Sequence, residues 1–319
     1  MNRRKFVKCV SLAAFTTTQT FPKIAQSKNL RLPQGQAFFR FSLGDLEITV
    51  VSDGHFVLPL KEHAINASSE ERKSILKLFY EFEDNIFRHT NHVIIDLKTG
   101  KRVLIDVGSG TRFMPTAGKL YENLRAAGIE PDTISDVILT HAHPDHIWGI
   151  RDDFDEVIFP KANYFIGTNE FNWWMQEDLV NSVSQGMQQL VLGAVNSLSA
   201  IKNFQLVNGE EQILPSISMI DLPGHTPGHM GVRVDSGKDS LIICGDALTN
   251  VFFDFEKPEW VNSYDMDSEK TVKSKKYVLN ECGNSGAYLL GYHFPFPGVG
   301  RVSNMGDKYR FIPIVWKWS

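Results

Sequence analysis

Cysteine is scarce: the 319-residue chain has three. None forms a Cys-x-x-Cys pair, which excludes a thiolate zinc knuckle. Cys9 lies near the N-terminus. Cys244 ends the apolar run Leu241-Ile242-Ile243, and Cys282 falls on a predicted helix. A bridge between these two is open, but no spacing requires it, and buried free thiols are the expectation. Excess positive charge is also missing. Lys and Arg total 33 against 37 Asp and Glu, a formal charge of −4, so no basic face for nucleic acid is implied. No apolar run reaches the roughly 20 residues of a membrane span. No low-complexity linker divides the chain. What remains is an ordinary globular composition, 42% hydrophobic and 22% charged, sufficient for a large core.

The N-terminus has the layout of an export signal. Met1-Asn2-Arg3-Arg4-Lys5-Phe6-Val7-Lys8 is basic, the run Cys9 to Phe15 is apolar, and threonine-rich polar residues follow. Arg3-Arg4 with Phe6 and Lys8 resembles a bacterial twin-arginine signal, which implies a periplasmic or secreted protein exported already folded. Cleavage near Ala25 would remove Arg3, Arg4, Lys5, Lys8 and Lys23 and take the formal charge to about −9. Residues 1–28 are therefore set aside as leader, and 29–319 are read as one domain.

Strands are expected at Phe39–Ser42 and Leu46–Val51, with Ser52-Asp53-Gly54 as a turn. Residues 61–85 read as a surface helix with Ile75, Leu76, Leu78 and Phe79 on its apolar face. A hairpin follows, His92–Leu97 and Arg102–Gly108, then a helix over Leu120–Ala127 stopped by Gly128. Val137–Thr140 and Ala162–Ile166 are strands, and a long helical region runs from Asn169 to about Ala200. The second half has the same logic. Strands at Gln212–Leu214, Ile217–Leu222, Gly231–Val234, Leu241–Cys244 and Ala287–Tyr292 surround a helix at Glu269–Glu281. Each half offers strands, a helix, and strands ending in polar residues. That pattern predicts an α/β (α+β) four-layer αββα sandwich, with strand-end loops from both halves meeting at one edge.

The polar strand ends carry the chemistry. Thr140-His141-Ala142-His143-Pro144-Asp145-His146 follows the strand Val137-Ile138-Leu139. On extended chain His141 and His143 point the same way, whereas Asp145 and His146 diverge and suit a second ion. The other half supplies His225, Asp246 and His293, each after an apolar strand. The seven residues can fill two adjacent metal sites: His141, His143 and His225 on one ion, Asp145, His146 and His293 on the other, and Asp246 between them. Imidazole with carboxylate suits two divalent ions, zinc first, with manganese, iron or cobalt as alternatives. Each ion would keep a position for water, as in catalytic sites. Asp106 and His229 are candidates for orienting the ligand imidazoles.

The His141–His146 motif, Pro223-Gly224-His225-Thr226-Pro227-Gly228-His229, Gly245-Asp246 and Tyr292-His293 together resemble the metallo-β-lactamase fold superfamily, over roughly residues 38–305. The resemblance implies the same ligand assignment. Asp246 stands where zinc β-lactamases commonly have cysteine or serine, which argues against β-lactam hydrolysis. His143 stands where flavo-diiron proteins have Glu. Only about two dozen residues follow His293, too few for the helical domain of glyoxalase-II-like enzymes. No nuclease insertion or basic arm is present. Asp221–His229 and His293-Phe294-Pro295-Phe296-Pro297-Gly298-Val299-Gly300 look most like the methyl parathion hydrolase group and the acyl-homoserine lactone lactonases. Their reactions imply hydrolysis of a small neutral aryl ester, phosphotriester or lactone, by a hydroxide shared between two metals. Asp145 and Asp246 are the candidates for moving a proton. Trp148, Phe171, Trp173 and Trp174 are candidates for an apolar pocket wall. An acyl-homoserine lactone lactonase is the alternative among enzymes, a non-catalytic metal-binding protein the alternative outside them. The resemblance leaves a homodimer open.

Overall fold

The computed structural model of the protein describes residue 35 and residues 37–317. The expected export signal at residues 1–28 and its cleavage point lie outside them.

Among the described residues, fourteen strands form two sheets of seven. The first comprises β1 (Phe38–Leu43), β2 (Leu46–Pro59), β3 (Asn85–Asp96), β4 (Arg102–Ile105), β5 (Asp136–Leu139), β6 (Asn163–Gly167) and β7 (Phe204–Val207), in sequence order across the sheet. The second comprises β8 (Glu211–Leu214), β9 (Ile217–Asp221), β10 (Met230–Ser236), β11 (Asp239–Ile243), β12 (Tyr288–Leu290), β13 (Val299–Asn304) and β14 (Tyr309–Pro313), again in order. Eight α-helices accompany them among the described residues: α1 (Ser69–Leu78), α2 (Leu120–Ala126), α3 (Pro144–Ile147), α4 (Thr168–Trp174), α5 (Leu179–Ser182), α6 (Gln185–Leu198), α7 (Phe253–Glu256) and α8 (Ser268–Ser285).

The strand sequences explain the layering. Successive side chains leave opposite faces of a strand, so a strand buried on both sides is continuously apolar and divides its residues between two cores. In β3, Val93 and Ile95 face the core between the sheets while Ile94 faces the helices. In β5, Ile138 faces the partner sheet while Val137 and Leu139 face the helices. In β11, Leu241 and Ile243 face inward while Ile242 joins the core under α8. Three cores separated by two sheets are the four-layer αββα sandwich expected from the sequence. Cys244 and Cys282 are free thiols buried in the α8 core. No helix among the described residues is long and apolar enough to cross a membrane.

Four expectations about elements are corrected. Ser52-Asp53-Gly54 is no turn: β2 runs through it to Pro59 with a register irregularity. Asp53 is buried there because its carboxylate accepts hydrogen bonds from Ser109 N, Ser109 Oγ and Leu120 N. The 61–85 helix shrinks to α1, which a Ser68–Glu71 capping box opens. Its Leu78 and Phe79 are 64% and 39% exposed, so the apolar face is Ile75 and Leu76 alone. β3 begins seven residues before His92, because Ile86, Arg88 and Thr90 alternate inward along it. The long helix after Asn169 is three, α4, α5 and α6, with turns between.

Candidate metal centre

Parallel pairing of β4 with β5 puts Ile105 beside Ile138, so their C-terminal ends open side by side. His141 and His143 lie just past β5. Proline at the first helical position starts α3, whose single turn carries Asp145 and His146. From the second sheet, the loop after β9 supplies His225, the turn after β11 supplies Asp246, and the segment after β12 supplies His293. The ends of both sheets thus deliver all seven expected groups to one place.

They form three overlapping triads whose nitrogen and oxygen atoms lie within 4.8 Å of one another: His141, His143 and His225; His141, His146 and Asp246; Asp145, His146 and His293. His143 Nδ1 is 3.1 Å from His141 Nε2 and 2.9 Å from His225 Nε2. Asp246 reaches both groups, with Oδ2 3.3 Å from His225 Nε2 and 3.1 Å from His293 Nε2, and Oδ1 3.3 Å from His146 Nε2. Asp145 Oδ2 is 3.3 Å from His293 Nε2.

Protonation follows from burial and neighbours. Burial, reinforced by the surrounding imidazoles, drives His141 and His143 well below the usual histidine range, so both are neutral. Burial also pushes His146 down, but Asp145, Asp106 and Asp246 outweigh it and lift it to about 10. Burial pushes Asp246 up, yet His293, His225 and His146 hold its carboxyl well below the usual carboxylate range. Asp145 Oδ2, His146 Nε2 and Asp246 Oδ1 are buried without any hydrogen-bond partner. Leaving such atoms unpaired is costly. Neutral imidazoles turned toward each other beside unpartnered carboxylate oxygens fit cations.

The opposite edge of four of the five imidazoles is tethered. Asp106 Oδ2 accepts from His146 Nδ1 at 2.8 Å and from Thr140 Oγ1, and Asp106 Oδ1 from Thr140 N. Thr140 Oγ1 lies 3.1 Å from His141 Nδ1. Asp265 Oδ1 meets His225 Nδ1 at 3.1 Å, and the His89 carbonyl meets His293 Nδ1 at 2.7 Å. Four rings therefore present Nε2 inward, the arrangement by which outer groups orient metal-binding histidines. Asp106 takes the orienting role expected of it. His229 does not contact a ring in this way. Its Nε2 accepts from Asp246 N at 2.9 Å and its Nδ1 donates to the Leu222 carbonyl, so it holds the Asp246 backbone.

The aromatic candidates separate. Trp174 is fully buried, and its ring meets His143 edge to face at 5.7 Å, so it backs a histidine and offers no wall to a substrate. Phe171 turns to Phe204 of β7 at 5.4 Å and belongs to the helical core. Trp173 leans on Trp174. Trp148 stays near the centre through a run of edge-to-face rings, Trp148 to Phe113 at 6.1 Å, Phe113 to Phe56 at 5.2 Å, and Phe56 to His293 at 5.5 Å. Phe56 and Phe113 are absent from the sequence reading. A cavity of about 250 Å³ behind His293 is lined by Phe87, His89, Val251, Phe252 and Pro295. A separate cavity of about 750 Å³ is lined by Glu122, Glu130, Asp152 and Glu156, among others, and by none of the seven groups.

Three further residues escaped the sequence reading. Glu170 on α4 is fully buried and accepts four hydrogen bonds. Ala142 N and Trp174 Nε1 reach Oε1 at 2.9 and 2.7 Å, and Thr226 Oγ1 and Gly228 N reach Oε2 at 2.7 and 3.0 Å. It ties the His141–His146 loop to the His225 loop. Gly228 is required there, since a Cβ would lie 2.0 Å from Glu170 N. Arg88 and Asp265 are the others, and only the inward alternation of Ile86, Arg88 and Thr90 in β3 carried a signal for either.

Residues 86–280 match the family described as the Metallo-beta-lactamase superfamily. An N-acyl homoserine lactonase of Bacillus sp is 21% identical over 175 residues, 53% of this chain and 60% of the lactonase. That of Bacillus cereus is 22% identical over 132 residues, 41% of this chain and 44% of the relative. The alignments thus span about half the length of these curated relatives. Among solved structures, AidC, a dizinc quorum-quenching lactonase in complex with a product, has a TM-score of 0.82 at 27% identity, covering 88% of this chain and 98% of that one. Hydrolase AbOPH has a TM-score of 0.83 at 25% identity, covering 89% and 99%.

Proposed function

The chain belongs to the metallo-beta-lactamase superfamily, and from that premise we propose that it is a metal-dependent hydrolase of small neutral esters, of the aryl ester, phosphotriester or lactone type. The observation that carries this reading is the convergence of seven buried groups with three unpartnered inward-facing atoms. His141, His143 and His225 would hold one divalent ion, and Asp145, His146 and His293 the other, with Asp246 serving both. Zinc is favoured by the donor set and by the dizinc lactonase similar to this chain. Bound ions supply acidified water near neutral pH and polarise the C=O or P=O oxygen under attack.

The chain's own residues do the rest. Asp106, Thr140, Asp265 and the His89 carbonyl fix the imidazoles. Asp145 and Asp246 are the carboxylates within the centre and would be the ones to pass a proton. Phe56, Phe113 and Trp148 carry an apolar run of rings from His293, which suits an uncharged substrate. The one buried arginine at the centre, Arg88, spends its terminal nitrogens on Asp246 and Tyr264, so it leaves no free cation for a phosphomonoester. Lactones are the second choice of substrate, supported by the lactonase relatives. Export to the periplasm or beyond is supported by residues 1–28 alone.

The test is hydrolysis of p-nitrophenyl acetate, paraoxon and a long-chain acyl-homoserine lactone by metal-analysed protein. A chelator should abolish turnover and added zinc restore it, and the ratio of kcat/KM values ranks the substrates. Two bound metals with no hydrolysis of any of the three would leave a non-catalytic metal-binding protein.

A further inference from the structure

Asp246 carries the heaviest geometric demand of the seven groups. Its Oδ1 faces His146, while Oδ2 faces His225 at 3.3 Å and His293 at 3.1 Å. A carboxylate turns easily about its Cβ–Cγ bond, because that torsion is broad. His229 fixes the backbone nitrogen but not the carboxylate.

Arg88 does touch the carboxylate. Its Nη2 donates to Asp246 Oδ2 at 3.0 Å, and its Nη1 donates to the Tyr264 hydroxyl. That hydroxyl is itself held at 3.0 Å from His63 Nδ1. The guanidinium lies 5.5 Å from the Phe56 ring and 4.7 Å from the Tyr264 ring, and the side chain is 3% exposed. Asp246 is its only ion-pair partner among the described residues. The fold itself does not need a cation at this place. Arg88 pairs with Phe56 across β2 and β3, and an apolar side chain of similar volume would be cheaper to bury there. A planar fork holds two acceptors from two separate nitrogens in fixed directions, whereas an ammonium must reach both from one nitrogen.

We propose that Arg88 is a positioning residue of the metal centre: one arm, anchored on Tyr264, steadies the guanidinium while the other clamps Asp246, so that Oδ2 stays turned to His225 and His293 and Oδ1 to His146. The inference rests on the metal-centre reading above, and the experiment separates the two. Metal-free protein is titrated with cobalt(II) and followed by visible absorption, with circular dichroism and the unfolding midpoint recording that each variant is folded. The wild type is expected to bind two equivalents. Arg88→Met is expected to bind one of them at least tenfold more weakly, with a changed cobalt spectrum. Arg88→Lys keeps the charge but replaces two fixed donor nitrogens by one, so a loss of three- to tenfold and an intermediate spectrum are expected. If Arg88→Met does not fold, Arg88→Lys decides. A folded variant with wild-type affinity and spectrum overturns the clamp. Fewer than two equivalents in the wild type overturns the metal-centre reading and the clamp with it.

Discussion

Replacing Glu170 by Gln should separate the two halves of the centre without touching a ligand. The carboxylate accepts four donors, two from backbone amides, one from an indole and one from a hydroxyl. A glutamine can keep its oxygen toward Ala142 N and Trp174 Nε1. Its amide nitrogen then faces Thr226 and Gly228. The Thr226 hydroxyl can rotate and accept, but Gly228 N cannot, so one buried donor is left unpaired at a cost of about 1–3 kcal/mol. The remaining three bonds lose their charge assistance, about 1 kcal/mol each. Against this, burial raises the Glu170 carboxyl, so removing its charge returns part of the desolvation cost. The net expectation is a loss of about 2–4 kcal/mol, a large share of the roughly 5–15 kcal/mol of a typical domain. Urea unfolding of metal-free wild type and Glu170→Gln measures it. Zinc affinity should fall in parallel, because both ligand loops lose their common anchor. A midpoint within 0.5 kcal/mol (about the scatter of a neutral surface change) would show that the four contacts do not hold the loops.

Two other outcomes are expected. Burial lowers His63 to about 3 and His92 to about 4, below the ordinary 6.5. The stability that depends on their neutrality is complete above about pH 6.5 and is lost as pH falls through the window toward 4, about 2 kcal/mol per residue at pH 5. His92→Phe should therefore shrink the difference in unfolding free energy between pH 7.5 and 5 by about 2 kcal/mol; an unchanged difference would sink the reasoning. Gly193 lies mid-helix in α6, where alanine normally gains about 1 kcal/mol, yet a Cβ there would come within 2.4 Å of the Trp148 ring. Gly193→Ala should destabilise by about 1–3 kcal/mol in a thermal melt, and a stabilised variant would mean that the indole is free to move.

The layers and the seven metal-binding candidates were readable from the sequence for one physical reason. Each candidate follows an apolar strand, and parallel or antiparallel neighbours bring such ends together. Asp106 was readable on the same ground, since it ends β4 beside β5. Glu170, Arg88 and Asp265 were not. Most of their partners lie 28 to 176 residues away, so only the closed sandwich defines their surroundings. The strand at 85–91 was missed because its inward positions include Arg88 and Thr90, which break the apolar alternation that marks a strand. The aromatics after Asn169 promised a wall, but α4 turns Trp174 into the core, where its indole N–H finds Glu170.

The Trp174 contact also makes the protein its own optical probe. The chain has six tryptophans, and the ring of this one sits 5.7 Å from that of His143. A fluorophore one ring away from the three-imidazole group should be quenched by cobalt or copper, which take up excitation energy, and left bright by zinc. Filling of the centre can then be followed by intrinsic fluorescence.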